Sequence, residues 1–444
     1  MYKASNLTFK GINRLAIPAI ISGIAEPLLS ITDTAIVGNI EFNSVESLAA
    51  VGIAGSFISA LVWILAQTRS AISAIIGRYL GAKKLDEIAT LPSQIIFINL
   101  IISVVLYFVS SYFTTEIFKL YNAEGLILNY SVSYYKIRII GLPLTLFIFS
   151  VFGVFRGLQN TFWPMIISIV GVSINVVLDI ILVYGIEGYL EPMNISGAAW
   201  ASVISQGVMA LLALILLLKK TPFSLKFSLP FNKEIGTILS ISFNLIIRAI
   251  ALNVALFMAN AYATKYGDNF IAAQTIAFQI WLFFAFFIDG YSSVGNIVSG
   301  KLLGEKDYKS MWKLSIKLSK YTIIISIIMV SLCAIFYVPI GNLFSKDAFV
   351  LQSFYSIFWI VLLMQPINAI AFVFDGIFKG LAEAVILRNL LLIATFLGFV
   401  PALLIGDYFE LKLTGIWIAF TIWMILRAGI LVVKFRNKYL AKNT

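Results

Sequence analysis

The stretch Ile95–Phe113, which reads IIFINLIISVVLYFVSSYF, indicates the fold class because it carries no charged residue. A run of about 20 apolar residues matches the hydrocarbon thickness of a bilayer when it forms a helix. Comparable runs recur along the whole chain, in which 60% of the 444 residues are hydrophobic and 12% are charged. A soluble domain carries about 25% charged residues. We therefore expect an all-α integral membrane protein.

The recurring apolar runs predict twelve transmembrane helices. Their expected bounds are 12–38, 48–76, 91–113, 128–155, 162–185, 196–218, 235–264, 270–299, 315–338, 350–378, 387–406 and 414–433. The loops between them alternate in charge, with basic loops such as the one holding Lys83 and acidic loops such as the one holding Glu187. Because basic residues of short loops mark the cytoplasmic side, both termini are predicted to be cytoplasmic in a multi-pass protein of the inner cell membrane. The net charge of +11 then reflects this topology and contact with anionic lipids, not nucleic acid.

An internal repeat relates the two halves of the chain at one offset of 223 residues. The offset pairs Leu48–Ala54 with Ile271–Ala277, and Phe155–Leu158 with Phe378–Leu381. It also keeps glycines and a proline in step, which chance similarity between apolar segments does not do. Six spans separate equivalent positions, so the two repeats have the same orientation. We predict an N-terminal six-helix lobe, a cytoplasmic linker and a C-terminal six-helix lobe at 1–218, 219–234 and 235–444.

Ionisable residues inside predicted spans are costly and mark functional sites by default. Glu26 and Asp33 are seven apart on the first span, and Asn175 and Asp179 are four apart on the fifth, so each pair shares a helix face. Buried carboxylates can take up a proton near neutral pH, and the carboxylate and amide oxygens together also suit a small hard cation. The residues alone do not choose between these ions. An alternative is that Asp33 lies near the outer interface and only caps a helix end.

Other charged residues of the spans have two open interpretations. They form structural ion pairs across the helix bundle, or they line a cavity and bind substrate. These residues are Arg69, Arg248, Asp289 and Asp375. Lys136, Arg138 and Arg427 are expected to be structural, either by pairing with aspartates or by extending towards the interface.

The sequence also argues against a transition-metal site and against two other classes of membrane protein. The chain has no histidine, and its one cysteine, Cys333, lies in an apolar segment, so we expect no transition-metal site. A membrane-embedded transferase would need paired acidic motifs for Mg²⁺ and diphosphate, whereas Asp86-Glu87 is a lone acidic pair. A channel would need a repeated selectivity-filter loop, and none is recognisable. The sequence therefore indicates a transporter and not an enzyme.

Several motifs stand in a characteristic order along the chain. Pro18 precedes the segment Asp33–Gly38, DTAIVG, by fifteen residues. The further motifs are Gly153–Thr161, Gly197–Ser202, Arg69 with Gly81, Arg138 with Gly141 and Pro143, Asp289–Tyr291 with Gly300 and Gly304, and Asp375–Ile377 with Gly380. Together they resemble the multidrug and toxic compound extrusion (MATE) family, in its branch of DNA damage-inducible protein F.

This resemblance implies a fold and an activity. The fold would be two parallel six-helix repeats that form V-shaped lobes around a central cavity. The activity would be secondary antiport, in which a small organic and often cationic compound leaves while H⁺ or Na⁺ enters, with no other cofactor. The partners would be these substrates and membrane lipids, and the protein would be a monomer. The main alternative is a lipid or lipid-precursor flippase of the same superfamily.

The resemblance also assigns roles to residues. It carries binding of the coupling ion, with Na⁺ as the only metal, over to Asp33, Asn175, Asp179 and Ser202. Glu26 is an addition of this sequence to that site. Helix bending is implied at Pro18, and Pro27 is a second bending position because proline lacks a backbone donor. Three positions depart from the family pattern, namely Ser202 for threonine, Asn160 for aspartate and Asn296 for glutamate.

Overall fold

The computed structural model describes residues 8–40 and 43–440, without the side chains of Ala25, Glu26, Ser30, Ile31, Ser44 and Leu440. Within these ranges the chain is helical, and no described residue belongs to a named β-strand. The helices are α1 Phe9–Val37, α2 Ser44–Leu65, α3 Gln67–Gly81, α4 Leu91–Tyr112, α5 Thr114–Lys119, α6 Gly125–Arg138, α7 Leu142–Gly157, α8 Phe162–Tyr184, α9 Asn194–Lys220, α10 Glu234–Tyr266, α11 Asp268–Glu305, α12 Tyr308–Ile335, α13 Tyr337–Phe344, α14 Ala348–Leu363, α15 Gln365–Gly380, α16 Ala384–Ile393, α17 Val400–Tyr408 and α18 Lys412–Phe435. Two π-helical segments, Ala394–Phe399 and Arg436–Leu440, continue α16 and α18.

These helices form the membrane spans that the hydropathy predicts. Eleven described segments are long and apolar enough to cross a bilayer, and α14 with α15 forms a twelfth if this pair is one span. The pair is bent by 49°, and the bend coincides with the predicted span 350–378. The fold class, an all-α integral membrane protein of twelve spans, is therefore confirmed.

The bend in the tenth span has a local cause. Pro366 stands in the first turn of α15, where a proline fits but cannot extend the preceding helix. Its equivalent in the repeat, Pro143, stands in the first turn of α7, directly after the 3-10 turn Ile139–Gly141. Equivalent prolines thus begin new helices in both halves.

The packed chain divides into two compact units. The first, called the Asp33 unit here, contains Ile21–Ile76 and Lys84–Leu239, and its core includes Phe118 and Tyr135. The second, called the Asp375 unit, contains the described residues through Ile20, the segment Gly77–Lys83 and the chain from Ser240 onward. Its core is rich in large aromatic side chains, including those of Phe358, Phe399, Trp417 and Trp423.

Helices α1 and α3 each contribute residues to both units, which distinguishes the packing units from a simple division of the sequence. The lobe bounds 1–218, 219–234 and 235–444 stay a prediction.

Gly81 and Gly304, which the repeat offset pairs, meet inside the Asp375 unit. A Cβ at Gly81 would overlap the carbonyl oxygen of Lys301, and one at Gly304 would overlap that of Arg78. The repeated glycines therefore permit close contact between the backbones of α3 and α11.

Candidate functional site

Four helices of the Asp33 unit bring polar side chains together. Asp33 comes from α1, Asn175 and Asp179 from α8, and Ser202 from α9. All four are buried, and the exposed fraction is 2% for Asp33 and 0% for Asp179. Helix α6 adds Tyr134 and Arg138, which are also buried. These six residues are called the Asp33 site below: Asp33, Tyr134, Arg138, Asn175, Asp179 and Ser202.

Close packing of α9 on α8 positions Ser202 beside Asn175. Gly197, at the start of α9, lies against the end of α8, and a Cβ there would come within 2.5 Å of the carbonyl oxygen of Leu182. Any larger residue would push the two helices apart at this point. Five residues further along α9, Ser202 receives a hydrogen bond from Asn175, whose Nδ2 lies 3.3 Å from its Oγ.

One oxygen of Asp33 is well supplied with hydrogen-bond donors. The hydroxyl of Ser202 donates to Asp33 Oδ2 at 3.1 Å, and the hydroxyl of Tyr134 donates to the same atom at 3.2 Å. These donors come from other helices, so Asp33 is tied into the bundle and does not cap its own helix. The carboxylate of Asp179 lies within interaction range of that of Asp33.

Other oxygens of the site have no donor among the described residues. They are Oδ1 of Asp33, Oδ1 of Asn175 and both carboxylate oxygens of Asp179. A buried acceptor without a partner costs about 1–3 kcal/mol, and more when it is charged. The site is thus a cluster of buried oxygens with spare capacity for a proton or a small cation. No group of three or more His, Cys, Asp or Glu suited to a metal ion occurs within the described ranges.

A small cavity reaches this cluster from the α2 side. It has a volume of about 20 Å³ and is lined by Asp33, Val51, Gly55, Ile58, Ser59, Tyr134 and Arg138. That volume is enough to hold a water molecule. Gly55 borders open space, because no atom lies within 4 Å of the position that its Cβ would take.

The structure thus brings together four of the five residues predicted for the coupling ion. The fifth, Glu26, has a side chain that lies outside the described residues. Pro18 and Pro27 both lie inside the continuous helix α1. Sequence reasoning missed Tyr134, although a signal existed, because Tyr134 stands one helical turn before Arg138 on the same face.

A second buried cluster lies in the Asp375 unit, and it is called the Asp375 cluster below. Asp375 on α15 pairs with Arg248 of α10, whose Nη2 lies 2.6 Å from Oδ1. It also pairs with Lys379, whose Nζ lies 3.0 Å from Oδ2, and Arg427 of α18 approaches Oδ1 at 4.0 Å. Arg427 is 2% exposed and otherwise contacts the sulfur of Met424 and the rings of Phe372 and Trp423. Three cations therefore surround one carboxylate.

The other charged residues of the predicted spans differ in their surroundings. Arg69 belongs to the Asp33 unit, where its guanidinium lies 5.4 Å from the ring centre of Phe149. Asp289 on α11 is half-buried, and no ion pair with it occurs among the described residues. Lys136 is exposed, whereas Arg138 faces the cavity. Of the predicted set Arg69, Arg248, Asp289 and Asp375, the structure pairs Arg248 with Asp375.

A family model described as MatE matches residues 18–181 and 245–404. Protein DETOXIFICATION 43 of Arabidopsis thaliana is 28% identical over 66% of this chain and 54% of its own length. The chain spans about half the length of this and two further plant relatives that it matches.

Two bacterial relatives match over most of their length. DNA damage-inducible protein F of Escherichia coli is 23% identical over 97% of this chain and 92% of its own. Multidrug export protein MepA of Staphylococcus saprophyticus is 23% identical over 86% of this chain and 84% of its own. A solved structure, MATE in the bent conformation, superimposes with a TM-score of 0.90 at 22% identity and covers 97% of this chain and 95% of that one. The structural likeness shows a shared fold.

Proposed function

The chain belongs to the MatE family, and from this premise we propose that it is a secondary antiporter that exports organic, often cationic compounds. Export is exchanged for H⁺ or Na⁺ moving inward, and the protein alternates between states open to either side. The coupling ion binds at Asp33, Asn175, Asp179 and Ser202. The observation that carries this proposal is the pair of buried carboxylates, Asp33 and Asp179, of whose four oxygens three lack a hydrogen-bond donor among the described residues.

The chemistry of the site supports ion coupling. An ionised carboxylate buried in a membrane protein is costly, and a cation that neutralises it removes much of that cost. The cation entering from outside brings about 2.3 kcal/mol per charge for each 100 mV of membrane potential. Binding shifts the balance between the two access states by no more than the difference in the ion's affinity for them. Protonation or Na⁺ binding at Asp33 and Asp179 is therefore the proposed switch.

The same proposal includes location and partners. The basic loops support an inner-membrane protein with both termini on the cytoplasmic side. The protein acts as a monomer on small organic substrates, in contact with membrane lipids. It needs no cofactor besides the coupling ion.

The decisive experiment replaces the carboxylates by amides of the same shape. We expect Asp33→Asn and Asp179→Asn to lose ion-driven export of a fluorescent organic cation such as ethidium, because an amide can neither take up a proton nor carry the charge that holds Na⁺. The measurement is uptake into inside-out vesicles, normalised to the amount of protein in the membrane. Asp86→Asn, which changes an exposed aspartate of the same unit, is the matched control. Export at the control rate by both variants would refute the site assignment.

A second experiment identifies the ion and separates the rival functions. A pH gradient and a Na⁺ gradient are imposed one at a time on proteoliposomes that contain the purified protein. An antiporter couples the flow of one ion to that of the organic compound. A channel passes ions without such coupling, an enzyme forms a new compound, and a flippase moves a labelled lipid between leaflets instead.

A further inference from the structure

The Asp375 cluster contains more positive charge than its one carboxylate can neutralise. Asp375 forms ion pairs with Arg248, Lys379 and Arg427, and none of these cations has another ion pair among the described residues. All four residues belong to the Asp375 unit, and all are buried apart from Lys379, which is partly exposed. The cluster therefore holds two positive charges in excess.

Such an excess is costly in the interior of a membrane protein, where buried charges are normally paired, and a second anion would remove the cost. We propose that the Asp375 cluster binds an oxyanion, either a carboxylate or a phosphate group, that belongs to the organic compound exported by the protein. This inference rests on the proposed function and defines a substrate class for it. The class comprises compounds that carry such a group, with or without a positive charge elsewhere.

Two arginines of the cluster have donors left for this group. Arg427 has five N–H donors, but its polar contacts are the sulfur of Met424 at 3.1 Å and Asp375 Oδ1 at 4.0 Å, which is beyond hydrogen-bond range. Arg248 donates from Nη2 to Asp375, whereas its buried Nε has no partner among the described residues. A guanidinium presents paired donors that match two oxygens of a carboxylate or phosphate.

The surroundings of Arg427 suit an organic anion better than an inorganic one. Its guanidinium carbon lies 4.7 Å from the ring centre of Trp423 and 5.6 Å from that of Phe372, which is partly exposed. Aromatic faces beside the cation provide stacking surface for the carbon skeleton of a ligand. A free inorganic ion has no such skeleton.

The positive charge of the cluster continues to residues that are partly exposed. Arg388 of α16 donates from Nη1 to Asn244 Oδ1 at 2.6 Å, and Asn244 stands one turn before Arg248 on α10. Lys379 and Arg388, both partly exposed, stand on either side of the loop 381–383. This loop follows the tenth predicted span and is therefore expected on the cytoplasmic side, from which an exporter takes its substrate.

The binding test uses the full-length purified protein in detergent, with phthalate as the probe. Phthalate is aromatic, and its two carboxylates carry the two negative charges that the cluster lacks. Phthalamide, the neutral diamide of the same shape, and inorganic phosphate are compared with it. Affinity is obtained from the rise of the thermal unfolding midpoint with ligand concentration, at constant ionic strength. We expect phthalate to bind, phthalamide not to bind, and inorganic phosphate to bind at least about tenfold more weakly than phthalate.

Variants then locate the binding site. Arg427→Met removes the charge and keeps an unbranched side chain, whereas Arg427→Lys keeps a charge without the paired donors. Lys320→Met is the matched control, since it removes an exposed cation of α12 in the same unit. We expect Arg427→Met to weaken phthalate binding by about 10- to 100-fold, the range for hydrogen bonds to a charged group. The loss should be smaller in Arg427→Lys and absent in Lys320→Met.

A transport measurement links the site to export. Proteoliposomes loaded with labelled phthalate receive the ion gradient that drives export of ethidium. We expect phthalate efflux by the unmodified protein and by Lys320→Met, and loss of this efflux in Arg427→Met.

Four results would overturn the inference. Two need no variant, namely failure of phthalate to stabilise the unmodified protein beyond phthalamide, and binding of inorganic phosphate as tightly as phthalate. The third is equal phthalate affinity in Arg427→Met and Lys320→Met, which would place the bound anion elsewhere. The fourth is phthalate that binds but is not exported by protein that exports ethidium. Absence of ion-driven ethidium export by the unmodified protein would instead contradict the proposed antiport function, so the two failures are distinguishable.

Discussion

The Asp33 site and the Asp375 cluster occupy the two halves of a repeated sequence but have opposite charge balance. In the Asp33 site, two carboxylates face one cation, and several carboxylate oxygens have no donor among the described residues. In the Asp375 cluster, one carboxylate faces three cations, and both of its oxygens form ion pairs. A further cation has a place in the first cluster and would be repelled by the second. Duplicated backbone geometry therefore does not duplicate the charge balance of the buried side chains.

The difference originates in a few side chains on matching helices. The segment Phe152–Gly157 of α7 aligns with Asp375–Gly380 of α15 in the repeat. Phe152 stands where Asp375 stands, and Arg156 stands where Lys379 stands. Arg156 accordingly donates to the hydroxyl of Ser22 at 3.4 Å and not to a carboxylate one turn away. In the second repeat, the single carboxylate of Asp375 is therefore the shared ion-pair partner of three cations.

The largest predicted effect tests whether the Asp375 cluster is structural. We expect Asp375→Asn to destabilise the protein by about 3–5 kcal/mol, because it leaves buried cations without their shared anion. The measurement is the midpoint of thermal unfolding in detergent, followed by fluorescence-detected gel filtration. Asp289→Asn is the control, since this half-buried aspartate has no ion pair among the described residues. An Asp375→Asn variant as stable as this control would contradict the comparison.

A smaller loss of stability is expected when Arg427, the cation farthest from Asp375 in the cluster, is replaced. Arg427 lies 4.0 Å from Asp375, and its other contacts are aromatic rings and a thioether. We expect Arg427→Met to lower the free energy of unfolding by about 1–2 kcal/mol or less. The contacts of Arg427 with the rings are lost, but its repulsion from Arg248 is relieved. The informative sample is the double variant Asp375→Asn with Arg427→Met. It should unfold at a higher temperature than Asp375→Asn alone, since one stranded charge is gone. A lower temperature would mean that the cations do not repel one another.

The smallest predicted effect concerns a hydroxyl of the Asp33 site. Ser202→Ala removes a donor to Asp33 Oδ2 and also the acceptor used by Asn175. One hydrogen bond is worth about 1 kcal/mol, which corresponds to about a fivefold change in ion affinity. If Na⁺ is the coupling ion, the Na⁺ concentration for half-maximal exchange should rise about fivefold. If H⁺ is the coupling ion, the pH of half-maximal exchange should rise by slightly less than one unit, because the ionised form of Asp33 has lost a donor.

A matched control separates the donor from the space around it. Ser202→Thr keeps the hydroxyl and adds one methyl group, so we expect ion affinity close to that of the unmodified protein. If Ser202→Ala and Ser202→Thr changed ion affinity equally, the packing of α9 would determine this affinity, and the hydrogen bond to Asp33 would not.

Much of the fold could be predicted from composition and spacing. Long apolar runs are decisive because a bilayer leaves backbone hydrogen bonding to the helix itself, so span positions follow from local sequence. The repeat offset also pairs Pro143 with Pro366, and the structure begins new helices at both. Helical periodicity placed Asn175 and Asp179 on one face, and both are buried beside Asp33.

The sequence by itself therefore determined the membrane environment, the number of spans and which polar residues the spans contain. Only the tertiary structure decided which of those residues meet. Arg69 and Arg248 look alike along the chain, yet one lies over Phe149 and the other pairs with Asp375. Tyr134 and Arg138 join Asp33 because α6 packs beside α1 and α2, a contact between residues about 100 positions apart. The reason is physical, since helix periodicity fixes the face on which a side chain lies, whereas its partner depends on how distant helices pack.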